Sequence, residues 1–331
     1  MLEAMGCSTR KVVTFADDHF FTVTGEQSRT TQAPDPTTDD DYFCFYRHKG
    51  KIVSTRLFTL YPMFADPRDY QILFLATFLS LGIGTRDWSI RPELIATLII
   101  TCCLTQWILS KQINPTDHPW LSLKSALITS LGLSLLLRAD RVSTMVLAGF
   151  LAIGSKFILS YAGKHWFNPA NFGIILALLI APDTWVSPGQ WGDDWWYLLL
   201  FVGTGAMVLK RVGRWDTSAA FLVAYALLEA LRNLWLGWTW DVYAHKLMSG
   251  SLLLFALFMI TDPRSIPNAR SARIVWAIAI ALLAFILRNY FYLNTALFIA
   301  LFIASPLTPL LDQWWSSPPF TWGGKSRSFS G

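Results

Sequence analysis

A polar, helix-breaking stretch, Gly163-Lys164-His165-Trp166-Phe167-Asn168-Pro169-Ala170-Asn171, is wedged between two apolar runs, Val142 to Leu159 and Phe172 to Ile180. Lipid does not tolerate unpaired backbone, so a turn this rich in donors sits at a membrane surface or lines a cavity enclosed by protein. Asn168 followed by Pro169 has its own logic. Asn is a preferred N-cap, and Pro fits the first helical position because that N–H is unpaired anyway. A plain interhelical turn would satisfy the same requirements, so the stretch constrains the fold before it says anything about function.

The rest of the chain is membrane-like. Of 331 residues, 53% are hydrophobic and 15% charged, and the mean hydropathy is +0.40. That excludes a soluble domain with a single core and points to an all-α, polytopic membrane protein whose first partner is the lipid bilayer. Many of the 16 Trp flank apolar runs, among them Trp88, Trp107, Trp120, Trp185, Trp195, Trp196, Trp314 and Trp315, as an interfacial aromatic belt requires. The net charge of +5 is topology information rather than a sign of nucleic-acid binding. Cys7, Cys44, Cys102 and Cys103 show no CxxC, zinc spacing or disulfide framework, so no metal site is expected, and Cys102-Cys103 reads as small apolar packing.

Residues 1–65 read as a cytoplasmic tail, partly disordered over the polar stretch Gly25 to Asp41. Met1 to Gly25 has no continuous apolar core, so no signal peptide is expected. Cys44-Phe45-Tyr46 and Leu57 to Phe64 are apolar enough to lie on the membrane or dock on the helices. Residues 66–312 form the transmembrane domain and 313–331 a second cytoplasmic tail. Ten spans are predicted: Tyr70–Gly84, Pro92–Ser110, Trp120–Leu137, Val142–Leu159, Asn171–Trp185, Trp196–Leu209, Thr217–Leu236, Trp240–Ile260, Ala272–Leu287 and Phe291–Leu311. Several are shorter than the roughly 20 residues of an ideal crossing, which leaves room for broken helices. With the N-terminus cytoplasmic, one set of loops carries Lys111, Lys164, Lys210, Arg211, Arg214, Arg264, Arg270 and Arg273, joined by Lys325 and Arg327 near the C-terminus. The other carries Arg86, Arg91, Arg138, Arg141, Arg232 and Arg288, with the acidic loop Pro182 to Asp194. This asymmetry predicts an inner (plasma) membrane protein with both termini cytoplasmic.

Asp66-Pro67, Asn168-Pro169 and Asp262-Pro263 share one grammar, an N-capping side chain followed by Pro, and each is expected to open a helix on the cytoplasmic side. Their dipole ends would together favour an anionic group, although three ordinary caps explain the same residues. Charges inside spans are costly and usually face a cavity or a partner. Lys124, Lys156 and Lys246 are near enough to span ends to reach the interface along their stems. Glu229 is harder to dismiss: an i,i+3 pair with Arg232 is the plain reading, ion or proton handling the other. His165 can donate, accept or titrate. No triad, phosphate loop or dinucleotide fingerprint is present, so the catalytic residues are unknown and no self-contained enzyme is legible.

Gly-Lys-His-x-Phe-Asn-Pro-Ala at 163–170, with Met259-Ile260-Thr261-Asp262-Pro263 at the end of an apolar span, resembles the family joining the B subunit of the sodium-pumping NADH:quinone oxidoreductase with the D subunit of the Rnf complex. The resemblance covers about residues 65 to 312. It implies ten helices in two inverted five-helix halves, here 70–185 and 196–311, with any permeation route near their interface. It also implies a site built from Lys164, His165, Asn168, Pro169, Asn171, Asp262 and Pro263, with Glu229 an ion-pathway candidate. Family members carry FMN phosphoester-linked to a Thr in a Ser-Gly-Ala-Thr-type motif after the fifth span. Here that stretch reads Ala181 to Gly192, with Thr184 the only Thr and no Ser-x-Ala-Thr. Covalent FMN is therefore not expected, and a non-covalent flavin remains open. The function implied is an integral membrane subunit of an Rnf- or Nqr-like electron-transfer system, partnered by other membrane subunits and able to couple redox to cation movement. Two readings stand beside it: a redox-free channel or transporter on the same scaffold, and a membrane accessory protein of a biosynthetic pathway.

Overall fold

The computed structural model describes residues 12–16, 19–23, 43–48, 51–56, 66–86, 91–113, 119–161, 163–188 and 195–320. The chain divides into two compact units. One comprises Met1–Ala65 with Thr321–Gly331, the other Asp66–Phe320. In the first, two antiparallel hairpins stand where the sequence suggested a partly disordered tail: β1 (Val12–Ala16) with β2 (His19–Val23), and β3 (Phe43–His48) with β4 (Lys51–Arg56). Cys44, Phe45 and Tyr46 are thus strand residues. Gly25 to Asp41 and Leu57 to Phe64 lie outside the described residues.

The second unit is a helical bundle, as the composition requires. Its first half holds α1 (Pro67–Leu81), continued by a π-helical turn at Gly82–Arg86, then α2 (Pro92–Ile113), α3 (Pro119–Leu136), α4 (Val142–Ile158) and α5 (Pro169–Ile180). The second half holds α6 (Trp195–Val212), α7 (Trp215–Leu236), α8 (Trp240–Leu247) and α9 (Gly250–Leu254), which runs into a π-helical turn at Phe255–Met259. After these come α10 (Arg270–Asn289), α11 (Ala296–Ala304) and α12 (Thr308–Trp314). Four stretches among the described residues are long and apolar enough to cross a membrane: Pro92–Ile113, Trp215–Leu236, Arg270–Asn289 and the near-continuous run Ala296–Trp314.

Three expected spans look different in the structure. Asn171–Trp185 stops at Ile180, because Thr184–Val186 leaves the helix as a strand, β8, paired with β5 (Leu137–Ala139). Trp240–Ile260 is broken at Met248-Ser249, and its inner part, Gly250 to Ile260, is buried throughout. Phe291–Leu311 starts only at Ala296 and tightens into a 3₁₀ turn at Ser305–Leu307, where Pro306 cannot donate. The twelve residues of α5 span about 18 Å, well short of a bilayer core of about 30 Å. Protein encloses most of Pro169 to Ala177, while Leu179 and Ile180 at the end of the helix are exposed.

Packing partners recur between the halves. α2 packs on α4 and α4 on α5, as α7 packs on α10 and α10 on α11; α1 touches α6, and α5 touches α11. Aromatic rings fill the seam. Phe78 of α1 stacks on Phe201 of α6 at 4.3 Å, and Phe167 stacks on Phe302 of α11 at 4.8 Å, contacts worth about 1 kcal/mol each beyond their burial.

Polar contacts tie the loops together at each end of the bundle. Arg91 donates to the Asp140 carbonyl (3.0 Å), and Asp183 accepts from the Arg141 amide (3.0 Å) and the Thr144 hydroxyl (2.9 Å). Asp183, from the loop after α5, thereby caps α4. Burial works to raise its carboxyl, and these bonds outweigh it, leaving the group below the usual range. At the opposite end, Asp66 caps α1 through the Arg68 amide (2.9 Å), and Lys124 pairs with Asp69 at 2.6 Å. Lys124 is therefore not reaching for water, as its position near a span end suggested. A carboxylate on the neighbouring helix α1 is the better partner for a half-buried ammonium.

Close approach of α4 and α5 depends on Gly173. A Cβ there would lie 2.8 Å from both the Ala148 carbonyl oxygen and the Ala152 Cβ, the small-residue contact that lets membrane helices touch. Gly173→Ala is expected to destabilise the protein by about 1–3 kcal/mol. Gly154→Ala, with open space around the new Cβ, should leave the thermal unfolding midpoint in detergent near that of the parent. Equal midpoints for the two variants would refute this packing.

Candidate functional site

The two sequence motifs, some ninety residues apart, meet at one end of the bundle. β6 (Ser160–Tyr161) and β7 (Lys164–His165) form a short hairpin that brings the chain from α4 to α5, with Gly163 in the left-handed region at φ +77°. Asn168 then caps α5. Its Oδ1 accepts the Asn171 amide (3.0 Å), while its Nδ2 donates to the Met259 carbonyl (3.2 Å) at the end of the π-helical turn. The His165 amide donates to the Arg264 carbonyl (2.9 Å). The Lys164 ammonium donates to the Ile266 carbonyl and pairs with Asp312 of α12. Asn171, fully buried, donates Nδ2 to the Phe298 carbonyl of α11 (3.1 Å). Of the seven residues singled out from sequence, Lys164, His165, Asn168 and Asn171 thus bond directly from the first half to the second.

Pro169 is buried as the first residue of α5, as its N1 position requires. Asp262 and Pro263 are a correction. They open no helix: Asp262 turns the chain on itself, its Oδ1 accepting the Arg264 amide (3.2 Å) and its Oδ2 the Ser265 hydroxyl (3.1 Å), and regular helix resumes only at Arg270. An Asx turn uses the same side-chain chemistry as an N-cap, so Asp-Pro looks alike in both settings. The shared anion site of three converging helix starts therefore loses its third member.

Two polar atoms at this junction are buried without a hydrogen-bond partner among the described residues: His165 Nδ1 and Asn171 Oδ1. Native interiors rarely leave such groups unpaired. Burial pulls the His165 ring down to about 4, against the favourable field of Asp262 and with Lys156 and Arg264 pushing the same way as burial, so the ring is neutral at physiological pH. Burial also pulls the Lys164 ammonium below its usual range, and the Asp312 carboxylate offsets part of this.

The π-helical turn at Phe255–Met259 was not legible in the sequence. Ser218 of α7 donates to the Ala256 carbonyl, and Thr261 donates to the Leu257 carbonyl (3.0 Å), satisfying groups that a widened turn displaces. Gly205 of α6 provides the room, since a Cβ there would stand 2.7 Å from Leu257 Cδ1.

Glu229 sits elsewhere, at the other end of α7, and its expected pairing with Arg232 is absent. Its Oε2 pairs with Lys246 (3.0 Å) and its Oε1 accepts Asn289 Nδ2 (2.6 Å), while the Arg232 guanidinium lies over the Trp238 ring at 4.7 Å. A carboxylate that is only 2% exposed takes the cation that can come to it through protein, and Arg232 faces the aromatic rim instead. Lys246 therefore serves Glu229 rather than the interface. Lys156 is buried against Ser125, its ammonium 3.1 Å from the hydroxyl, and Cys102 packs against Gly149. No group of His, Cys, Asp and Glu among the described residues could hold a metal ion.

A family model described as the NQR2, RnfD, RnfE family matches residues 184–321. The D subunit of an ion-translocating oxidoreductase complex from Stutzerimonas stutzeri is 32% identical over 242 residues, 70% of this chain and 62% of that protein. The chain is similar to members of the NQR2, RnfD and RnfE family. A protein of the same name from Alcanivorax borkumensis is 24% identical over 269 residues, covering 62% of this chain and 77% of that protein. One from Actinobacillus pleuropneumoniae is 28% identical over 131 residues, 39% of this chain and 38% of that protein. The chain thus spans from under two-fifths to about three-quarters of the length of these curated relatives.

Two measurements probe the junction. Asn168→Ala should lose about 1 kcal/mol for the cap and more for the lost bond to the Met259 carbonyl, which keeps only the longer one from the Asp262 amide (3.4 Å). Asn168→Asp keeps the cap but turns a carboxylate oxygen toward that carbonyl, so it should be destabilised at least as much. A wild-type unfolding midpoint for Asn168→Asp would show that the bridge contributes nothing. The His165 ring supplies a pH signature. The unfolded chain takes up a proton as pH falls through 6.5, while the folded chain resists until about 4. Stability should therefore decline across that window. His165→Gln should flatten this part of the pH–stability curve, and an unchanged slope would count against a buried neutral ring.

Proposed function

We propose that this chain is a member of that family and an integral membrane subunit of an ion-translocating, Rnf- or Nqr-like electron-transfer complex. We further propose that it has two inverted five-helix halves and that the junction of Lys164, His165, Asn168 and Asn171 with residues 259–268 is its working site. The observation that carries this reading is the pair of buried, unpartnered atoms, His165 Nδ1 and Asn171 Oδ1, at the point where a short helix of one half meets the broken span of the other. Broken helices facing each other across a repeat interface are where membrane proteins of this architecture build their sites. The printed names of the relatives support the electron-transfer and ion-translocation parts. The recurring packing of the two halves supports the repeat.

A flavin would supply one- and two-electron transfer at such a site. The residues fit a non-covalent one in their chemistry: Asn171 Oδ1 can accept, and the neutral His165 ring has Nδ1 without a partner. The residues do not favour a phosphoester at Thr184, whose hydroxyl donates to the Ala181 carbonyl (2.7 Å) and to the Ala177 carbonyl (3.2 Å) at the end of α5. The charge asymmetry of the loops supports placing the junction on the cytoplasmic side. Glu229 has both oxygens engaged, which weighs against it as an open ion-binding carboxylate and leaves the junction as the stronger candidate.

The test is purification of the tagged full chain from its native membrane under mild detergent. Redox subunits should co-purify, acid should release a flavin from the assembly, and the denatured band of this chain should not fluoresce. Asn171→Leu should lower the flavin content while the subunits remain associated. A chain that purifies folded, alone and colourless, with cation flux in vesicles unaffected by reductant, would instead favour the redox-free channel.

A further inference from the structure

Beyond the junction, at the same end of the bundle, charges of one sign accumulate. Lys164 pairs with Asp312, whose second oxygen accepts the Asn268 amide (2.7 Å). The Asn268 carbonyl accepts from Arg273, and the Arg273 guanidinium pairs with Asp216, both side chains nearly buried. Arg270 approaches the same Asp216 at 3.8 Å with its side chain 65% exposed. Arg214 stands beside Arg273 and Asp216. Four cations, Lys164, Arg214, Arg270 and Arg273, therefore share two carboxylates, Asp216 and Asp312, which leaves a surplus of two positive charges.

The surplus has a focus at the corner between α6 and α7. Arg214 Nε is buried and has no hydrogen-bond partner among the described residues. Burial, followed by repulsion from Arg273, pulls this guanidinium down to about 10, a cost that an anion at the same place would remove. Beside it, Trp215 is 55% exposed, and the Arg270 guanidinium lies 5.3 Å from the centre of its ring. Trp215 and Arg270 are the first residues of α7 and α10, both long and apolar enough to cross a membrane. Their helix starts are thus at the level where headgroups lie, and an exposed Trp is a residue of that level.

We propose that Arg214, Arg270 and Trp215 bind the phosphodiester headgroup of an anionic phospholipid. The Arg214 guanidinium, whose central carbon stands 5.3 Å from the centre of the Phe320 ring, and the exposed Arg270 guanidinium supply the positive charge and donors, and Trp215 packs against the glycerol and upper acyl region. A soluble phosphate would satisfy the charges but would have no use for the exposed indole or the apolar helix flanks beside it. Basic pockets between transmembrane helices suit such headgroups, and each Lys or Arg near an anionic surface contributes about 1 kcal/mol.

The experiment is native mass spectrometry of the full chain, delipidated in detergent and titrated with phosphatidylglycerol, phosphatidylcholine or inorganic phosphate. Phosphatidylglycerol should bind in preference to phosphatidylcholine, and added salt should weaken it. Arg214→Gln and Arg270→Gln should each weaken it roughly five-fold, while Arg214→Lys keeps most of the affinity. Should Arg214→Gln fail to fold, Arg270→Gln, altering an exposed side chain, carries the test alone. Equal binding of the two lipids, or no loss in Arg270→Gln, overturns the proposal. Displacement of the lipid by inorganic phosphate at comparable concentration also overturns it, in favour of a soluble-anion site.

Discussion

One amide holds the two halves of this protein to each other's backbone. Asn168 accepts from the first turn of α5 with its oxygen and donates with its nitrogen to the carbonyl that ends the π-helical turn. Both partners are groups that a helix end leaves unpaired, and inside a membrane protein water is not at hand to satisfy them. The side chain must be an amide, since a carboxylate or hydroxyl lacks the paired donor and acceptor at this reach. Once the two helix ends are joined this way, the His165–Arg264 and Lys164–Ile266 contacts follow on the same turn, and Asn171 extends the join to α11.

The same requirement explains the broken span. A π-helical turn displaces backbone carbonyls, and Ser218 and Thr261 take two of them up. Such a turn needs space, and Gly205 supplies it by letting α6 approach Leu257 without a side chain between them. Gly173 does the equivalent for α5 against α4. Here α9 and the π-helical turn beyond it are buried throughout, while the longer apolar helices α2, α7 and α10 and the α11–α12 run have the length to face lipid.

Charge within the bundle is handled by pairing. Glu229 holds Lys246 and Asn289, Asp216 holds Arg273, and Lys124 reaches Asp69. Removing one partner of a buried pair strands the other, which makes these contacts strong constraints on which helices can be neighbours, even though a pair contributes little net stability. The exceptions stand out against that background: the two unpartnered atoms of the junction, and the guanidinium of Arg214 beside a surplus of positive charge. Gln106 Oε1, Ser134 Oγ and Asn233 Oδ1 are likewise buried without a hydrogen-bond partner among the described residues, but they belong to neither the junction nor the Arg214 corner, where unpaired polar groups gather with charges as a ligand would require.

Composition and local grammar determined a good deal by themselves. Hydropathy marked a polytopic helical protein, and most span limits fell within a few residues of the helices observed. Asp66-Pro67 and Asn168-Pro169 announced the starts of α1 and α5, because capping is a contact between residues two or three apart and is written in adjacent letters. The motif turn also identified the residues that meet the second motif. Tertiary structure decided the rest. Asp262-Pro263 has the letters of a cap but forms a turn, since the chain beyond it is drawn toward Lys164 and Asp312 rather than into a helix. The partner of Glu229 is set by where α8 and α10 pack, so a nearer Arg232 in sequence is passed over. The break at Met248-Ser249 has a local signal in Ser249-Gly250-Ser251, but the π-helical turn beyond it lies in an apolar run with no Pro, where nothing local distinguishes it from a regular helix. Only donors to the displaced carbonyls make the irregular form stable, and while Thr261 comes from the same segment, Ser218 comes from a helix distant in the chain.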